Sequence, residues 1–179
     1  MTKERSVAGH FGIIEGHGGR EDDIASITRA AFAQQYGSGD GEAALIAALR
    51  GDGDVVVELT ALEAGEVVGH VMFSRLSVAP DTLRMASLAP VCARIDRQRG
   101  GIGSALIREG LARCKAQEFD AVLVEGDPRY YARFGFSVDA AQAVESDYSG
   151  PYFQALALKN HALANGKWRV TYPRAFLSV

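Results

Sequence analysis

Apolar residues recur along this chain with two periods, one typical of helices and one typical of strands. They follow a helical spacing over residues 21–32 and 42–50, so two helices are predicted near the start, after a short strand at 11–15. Residues 55–78 form two runs rich in β-branched side chains around Glu63-Ala64-Gly65-Glu66, which predicts a hairpin. Two helices followed by a hairpin are therefore expected in the first half.

Strands and helices alternate in the second half. The pattern predicts a strand at 83–95, a helix at 102–117, a strand at 121–126, a short helix after 127, a strand at 153–159 and a last strand with a turn at 165–176. Pro90 lies inside the first of these strands and predicts a bulge, because proline cannot donate a ladder hydrogen bond. Asp127 and Pro128 are typical of a helix start, as cap and first helical residue. The order predicts one mixed α/β domain over residues 1–179.

Composition narrows the class of protein. The formal net charge of −3 argues against a nucleic-acid partner, which usually requires a basic excess. Cys92 and Cys114 form no C-x-x-C motif and have no histidine at metal-ligand spacing, so no metal site is expected. No apolar run reaches about 18 residues and the N-terminus lacks a secretory apolar core, so no membrane partner is expected and a cytoplasmic location is the default.

The stretch RQRGGIGSAL, residues 97–106, is a candidate anion-binding loop. It lacks the Gly-Lys-Ser/Thr of a P-loop, and position 106 is leucine where a dinucleotide-binding loop has its third glycine. The remaining pattern is Gln98-x-x-Gly101-x-Gly103 between a strand and a helix. Glycines let backbone N–H groups approach a phosphate, and the helix start adds further unpaired N–H groups. A glycine-rich turn without a ligand is the alternative that this motif alone leaves open.

Several motifs together resemble one family. The glycine loop is followed, one strand later, by GDPRYYARFGF at residues 126–136. Both segments resemble the acetyl-coenzyme A motif and the Y-x-x-x-G-F segment of the GNAT acetyltransferase superfamily. The chain is similar to its YhbS-like branch, and the matching motifs occur in the same order. They are Ala31-Phe32, Leu49-Arg50, Val67–His70, Leu88–Pro90, Gly101–Leu106, Gly126–Phe136, Gly150-Pro151 and Tyr172–Phe176.

The resemblance implies a GNAT fold, in which a mostly antiparallel mixed sheet is flanked by helices and contains a splayed pair of strands. It also implies an N-acetyltransferase that takes acetyl-coenzyme A as acyl donor. The residues implied to bind the coenzyme are Val91, Cys92, Ala93, Gln98, Arg99, Gly100, Gly101, Ile102, Gly103, Ser104 and Tyr131. This chain departs from the family pattern just before the glycine loop. Ala93 and Ile95 replace the favoured valine and proline, and Arg94 and Arg97 replace residues that are often apolar or aromatic.

The resemblance also implies catalytic roles. Tyr131 lies four residues before Gly135, which is the spacing of the family's general-acid tyrosine. Glu125 ends the strand after the glycine helix and is a candidate to bind or deprotonate an amine, with a solvated strand end as the alternative. A backbone N–H near Ala93 is expected to meet the thioester carbonyl. His70 is interpreted as a packing or surface residue and Cys92 as a small strand residue, because nothing in the sequence supplies a base for a thiol nucleophile.

Three functions stay open from the sequence. The first is an N-acetyltransferase acting on a primary amine of a small molecule or peptide. The second is a coenzyme A-binding module without turnover, and the third is an acyltransferase with a longer acyl donor. The acceptor is expected to meet residues 34–42 and 77–84, where Asp40 and Glu42 are candidates to attract a cation. The sequence does not fix the oligomeric state, and a homodimer is among the options.

Overall fold

A computed structural model of the chain describes residues 5–6 and 10–178. The strands are β1 (Arg5–Ser6), β2 (Gly12–Glu15), β3 (Val55–Glu63), β4 (Glu66–Arg75), β5 (Ser77–Ala79), β6 (Met85–Ala93), β7 (Ala121–Glu125), β8 (Val144–Glu145), β9 (Phe153–Ala157) and β10 (Trp168–Thr171). The helices are α1 (Glu21–Tyr36), α2 (Asp40–Asp52), α3 (Ile102–Ala116), α4 (Pro128–Tyr131) and α5 (Val138–Ala141). Short 3₁₀ turns cover Ile95–Arg97, Ala132–Phe134 and Arg174–Ser178.

The strands form a large and a small sheet. The seven-stranded sheet has the order β1-β2-β3-β4-β6-β7-β9, and the three-stranded sheet has the order β5-β10-β8. Within the large sheet, β6 and β7 are parallel and the other neighbouring pairs are antiparallel. The expected mixed, mostly antiparallel sheet with flanking helices is therefore confirmed.

Helices cover both faces of the large sheet. One face packs on α3, whose apolar stripe of Ile102, Leu106, Ile107, Leu111 and Cys114 is buried. Gly110 belongs to the same stripe, and a methyl group built there would overlap the Phe73 ring of β4, so the helix needs glycine to lie this close to the sheet. The opposite face packs on α1, α2 and the small sheet.

Most predicted elements occur, with differences at their ends. The hairpin turns through Ala64 and Gly65, which both have positive φ angles. The predicted bulge is present, because the pairing of β4 with β6 shifts between Val71 and Phe73, opposite Pro90. Two predictions were wrong in detail. Helix α2 passes through Gly51 and ends only at the left-handed Gly53. The end of the second hairpin run leaves the large sheet, because Ser77–Ala79 pairs with β10.

The described residues contain neither a membrane-spanning helix nor a cluster of side chains placed to hold a metal ion. None of the helices in residues 5–6 and 10–178 is long and apolar enough to cross a membrane. The same part of the chain contains no group of three or more His, Cys, Asp or Glu side chains placed to hold a metal ion.

Candidate active site

A cleft of about 1000 Å³ opens where β6 and β7 separate. The two strands pair only from Met85 with Ala121 to Ser87 with Leu123. Beyond Ser87, β6 continues to Ala93 and pairs with β4 along its other edge. The edge of β6 that faces β7 thus has no strand partner among the described residues from 88 onward. An extended ligand can therefore pair with this edge through backbone hydrogen bonds.

The predicted coenzyme-binding residues of β6 lie along that free edge. Val91, Cys92 and Ala93 all line the cleft. The departures at Ala93 and Ile95 do not disturb the strand, because after the bulge at Pro90 the pairing of β6 with β4 continues to Ala93, which pairs with Gly69. Only after it does the chain turn, through the short 3₁₀ segment that begins at Ile95.

The glycine loop closes one end of the cleft, which we call the loop end. Arg99 and Gly101 both have positive φ angles, of 63° and 84°, and this folds the loop back on itself before α3 begins. Gly101 is the N-cap of α3 and offers no capping side chain, so the first N–H groups of the helix are left for another partner. The predicted loop residues that line the cleft are Gln98, Arg99, Gly101, Ile102, Gly103 and Ser104, while Gly100 does not line it.

Positive charge gathers at the loop end. Arg97, Arg99 and Arg133 line the cleft there. Arg97 is paired with Glu63 at 2.7 Å, whereas Arg99 and Arg133 have no carboxylate within salt-bridge distance among the described residues. The Arg133 guanidinium lies over the Tyr130 ring, 4.5 Å from its centre, and donates a hydrogen bond to the Tyr130 carbonyl. Two unpaired guanidinium groups beside uncapped helix N–H groups favour a phosphate ligand.

Tyr131 is held at the middle of the cleft by a compact turn. Asp127 caps α4 by accepting a hydrogen bond from the Arg129 backbone N–H, as the Asp-Pro motif predicts. The Tyr131 ring packs edge-on against Phe136, with ring centres 5.9 Å apart. On its other side lies Gly126, where a methyl group would overlap the ring. The tyrosine therefore has a fixed orientation and lines the cleft.

The environment of Tyr131 keeps its hydroxyl protonated. Burial raises the pKa of Tyr131 well above its usual value, and the neighbouring phenols of Tyr130 and Tyr36 raise it further. A phenol with a raised pKa retains its proton at neutral pH, so Tyr131 presents a protonated hydroxyl, a hydrogen-bond donor, to the cleft.

Glu125 lies at the other end of the cleft, which we call the acceptor end. It is the exposed last residue of β7 and lines the cleft. Its neighbours there are Tyr148, Tyr172 and Phe176, which we call the aromatic wall. Burial raises the pKa of Tyr172 to about 12, and the negative charge of Glu125 contributes to this increase. Burial and the same carboxylate also raise the pKa of Tyr148, so Glu125 is close to both phenols.

The first two helices complete the acceptor end. Their lining residues are Ala31, Phe32, Gln35, Tyr36, Gly41, Glu42 and Leu45. Part of the predicted acceptor region, residues 34–42, is therefore found at the cleft. The other part was wrong, because none of residues 77–84 lines the cleft; their strand, β5, instead pairs with β10 in the small sheet. Asp40 is also outside the lining and pairs with Arg29.

Cys92 lines the cleft, but its thiol is not activated as a nucleophile. It is 6% exposed, and its Sγ lies 3.5 Å from the Thr28 hydroxyl. Burial raises the pKa of the Cys92 thiol to about 11, so the thiolate form is scarce near neutral pH. The structure thus supplies no base to activate this thiol, which agrees with its interpretation as a small strand residue.

His70 belongs to a buried polar cluster that the sequence pattern did not reveal. Its Nε2 lies 2.9 Å from the carboxylate of Glu58, and Arg50 of α2 also binds that carboxylate. Both His70 and Glu58 are buried, and neither lines the cleft. The signal available in the sequence was Glu58 itself, since a carboxylate in an otherwise apolar strand requires a buried partner.

The comparisons with known proteins agree with this geometry. A family model for the acetyltransferase (GNAT) domain matches residues 15–138. The uncharacterised N-acetyltransferase YhbS of Escherichia coli is 32% identical over 140 residues, which cover 76% of this chain and 84% of that protein. A second relative, the uncharacterised N-acetyltransferase YjhQ of Escherichia coli, is 33% identical over 115 residues, 62% of each chain.

Solved structures share the whole architecture. The crystal structure of YhbS from Escherichia coli in complex with CoA superposes with a TM-score of 0.85 at 28% identity, over 98% of this chain and 96% of that chain. A GNAT family acetyltransferase from Brucella melitensis in complex with acetyl-CoA superposes with a TM-score of 0.78 at 32% identity, over 93% of this chain and 98% of that chain.

Proposed function

The chain belongs to the GNAT acetyltransferase family, and from this premise we propose that it binds acetyl-coenzyme A in the cleft and transfers the acetyl group to a primary amine. One observation carries the proposal. The free edge of β6, the uncapped start of α3 and the hydroxyl-bearing Tyr131 all border a single cleft. The structural relatives from Escherichia coli and Brucella melitensis, which were crystallised with CoA and acetyl-CoA, support the same ligand.

The cleft fits the coenzyme along its length. The helix N–H groups and arginines of the loop end suit the pyrophosphate, and we assign Arg99, Gly101 and Ser104 to it. Gly100 bends the loop without lining the cleft. The free edge of β6 suits the amide-containing arm, which has backbone-like donors and acceptors, and Val91 to Ala93 offer theirs in return. When bound, acetyl-coenzyme A supplies an acetyl group activated as a thioester.

Residues of the chain itself carry out the proton transfers of the reaction. Glu125 faces the amine and takes up the proton that the amine must lose before its nitrogen attacks. A backbone N–H near Ala93 donates to the carbonyl oxygen, where negative charge develops. Tyr131 donates its hydroxyl proton to the leaving sulfur, which makes departure easier. A Cys92 adduct is not needed, because the amine attacks the acetyl group directly.

Calorimetry with acetyl-coenzyme A and a thiol-release assay over a panel of primary amines test the proposal. The wild-type protein is expected to bind the coenzyme and to release thiol with at least one amine. Replacing Tyr131 by phenylalanine is expected to lower kcat roughly 100-fold, since general-acid catalysis contributes about 10²–10⁴-fold, while coenzyme binding is retained.

The matched control is Tyr152→Phe, which removes a phenol hydroxyl from an exposed side chain outside the cleft and is expected to keep the wild-type kcat. Absence of coenzyme binding by the wild-type protein would refute the proposed function as a whole. Binding without thiol release from any amine would refute the transfer step. An unchanged kcat in Tyr131→Phe at every pH would refute the role of Tyr131 alone.

A further inference from the structure

The aromatic wall forms a continuous set of ring edges and faces beside Glu125. The Tyr148 and Tyr172 rings meet edge-on with centres 4.6 Å apart, and Tyr172 meets Phe176 in the same way at 4.9 Å. All three rings line the cleft and are partly exposed to it. Partly exposed π faces next to a carboxylate form a surface that attracts a cation through both the rings and the charge.

Charge is divided unequally between the two ends of the cleft. Its lining arginines, Arg97, Arg99 and Arg133, belong to the glycine loop and to the turn after α4. Among the described residues that line the acceptor end there is no lysine, arginine or histidine, and the carboxylates of the cleft lining are Glu42, Glu125 and Asp127. Asp127 pairs with Arg129, whereas Glu42 and Glu125 have no salt-bridge partner among the described residues. A cationic ligand would supply the missing counter-charge.

The two ends of the cleft are also reached from different faces of the large sheet. Val122 and Val124 of β7 pack on the α3 face, whereas Leu123 packs on the opposite face with the small sheet. Because side chains alternate along a strand, Glu125 belongs to the face of Leu123. The acceptor can therefore reach Glu125 from the side of α1, α2 and the aromatic wall, without crossing the arginines of the loop end.

From these observations we propose that the acceptor is a cationic primary amine without a neighbouring carboxylate, whose ammonium group is held by Glu125 against the aromatic wall. The proposal rests on the proposed function and names the substrate class of that site. An amino acid of the same shape is excluded, because its carboxylate would lie beside Glu125 and Glu42 with no cation at the acceptor end to neutralise it. Glu125 is thus a specificity-determining residue as well as the proton acceptor.

Matched pairs of compounds that differ only in a carboxylate test this class directly. The pairs are tyramine with tyrosine, and cadaverine with lysine. With acetyl-coenzyme A and the wild-type protein, kcat/KM for the amine of at least one pair is expected to exceed that for its amino acid by about 100-fold or more, since like-charge juxtaposition costs several kcal/mol. Equal use of both members, or preference for the amino acid, would overturn the proposal.

Glu125→Gln separates recognition from proton transfer. If Glu125 sets specificity, this variant lowers the ratio of kcat/KM for tyramine over tyrosine by about tenfold, because the amine loses attraction and the acid loses repulsion. A residue that only accepts a proton would lower kcat for both compounds and leave the ratio unchanged, which contradicts the proposal. The control Glu118→Gln alters an exposed carboxylate that pairs with Lys159 outside the cleft, and it is expected to match the wild type.

The aromatic wall is tested separately at Tyr148. Tyr148→Phe keeps the ring and is expected to keep KM for tyramine within about twofold, whereas Tyr148→Leu removes the π face and is expected to raise KM about fivefold. Equal KM values for the two variants would contradict a role of the aromatic wall in binding the amine.

Failure of the proposed function is distinguishable from failure of this inference. Calorimetry that shows no binding of acetyl-coenzyme A removes both. If the protein binds acetyl-coenzyme A but neither binds nor acetylates tyramine or cadaverine, the inference is overturned. The proposed function is then still tested by thiol release with the wider panel of primary amines.

Discussion

The buried cluster around Glu58 makes a quantitative prediction for the variant Glu58→Gln. Glu58 is 8% exposed and accepts hydrogen bonds from Arg50, at 3.0 Å from its Nε, and from His70, at 2.9 Å from its Nε2. The glutamine has almost the same shape but carries no charge. It therefore leaves Arg50 largely buried without an opposite charge, which is costly to the folded state.

The pKa of Glu58 sets the size of the effect. Burial by itself would raise this pKa, but the hydrogen bonds and charges of His70 and Arg50 outweigh burial and lower it from 4.5 to about 2. At about 1.4 kcal/mol per pKa unit, this shift sets an upper value on the order of 3 kcal/mol of folding free energy at neutral pH, because the charge of His70 contributes to the shift only where His70 is protonated. Glu58→Gln is expected to lose up to this amount, or up to roughly 6–12 °C in Tm for a chain of this length.

The sign of the pH dependence follows from the lowered pKa. The contribution of Glu58 is present in full above pH 4.5 and is lost as the pH falls towards 2. Burial lowers the pKa of His70, so this ring is neutral in the folded protein near pH 7 and gains its charge only in acid. Protonated His70 then has a partner in the wild type and none in the variant. The difference between the two proteins is therefore not expected to shrink until the pH is below 4.5.

Urea unfolding of wild type and variant at pH 7, 5 and 3.5 measures this difference. It is expected to lie between about 1 and 3 kcal/mol at pH 7 and to fall by about 1 kcal/mol between pH 5 and 3.5. The control is Glu66→Gln on the same hairpin, whose carboxylate is 75% exposed and pairs with Arg94; it is expected to cost less than about 0.5 kcal/mol. A loss below about 1 kcal/mol for Glu58→Gln, or a difference independent of acid, would refute the reasoning.

Three further predictions concern the cleft and the core beneath it. Gly126→Ala places a methyl group where the Tyr131 ring lies. Steady-state kinetics are expected to show kcat reduced about 10–100-fold, while calorimetry shows acetyl-coenzyme A binding changed by less than about threefold. Equal losses in kcat and in coenzyme binding would contradict a displacement of the tyrosine. Gly110→Ala forces α3 away from Phe73 and is expected to cost about 1–3 kcal/mol in thermal unfolding, whereas an unchanged Tm would show that the helix shifts freely. Cys92, whose thiol pKa is raised to about 11 by burial, is expected to resist iodoacetamide at pH 8 until denaturant is added, and rapid labelling of the native protein would contradict its burial.

Local signals account for the parts of the site that the sequence predicted. The glycine loop is encoded by neighbouring residues, because Gly101 must adopt a positive φ angle just before the apolar stripe of α3 begins. The turn that orients Tyr131 is equally local, since Asp127 and Pro128, which start α4, lie four and three residues before it. In both cases the residues that determine the structure are adjacent in the chain, and a pattern in one segment is enough to place them.

The sequence analysis predicted Glu125 and residues 34–42 at the acceptor end, but it did not predict the aromatic wall, because the parts of the wall meet only through long-range pairing. Tyr148 follows β8 and Tyr172 follows β10, and these segments meet because β10 pairs with β5 and β8 in the small sheet. β5 and β8 contain three and two residues, too few for alternation to be recognised, so their partners decide that they are strands. For this reason the hairpin predicted over residues 55–78 includes Ser77 and Val78, which belong to β5.

The free edge of β6 links a sequence signal to the proposed chemistry. Because proline has no N–H, Pro90 predicts a bulge, and the pairing of β6 with β4 is irregular at that residue. The pairing of β6 with β7 has already ended at Ser87. A strand that continued to pair with β7 through this region would bury the backbone groups that an extended ligand needs. Proline also has no N–H for β7 to accept, so it opposes that pairing. The residue that weakens the sheet therefore favours an open cleft, while β4 still pairs with β6 on either side of the bulge.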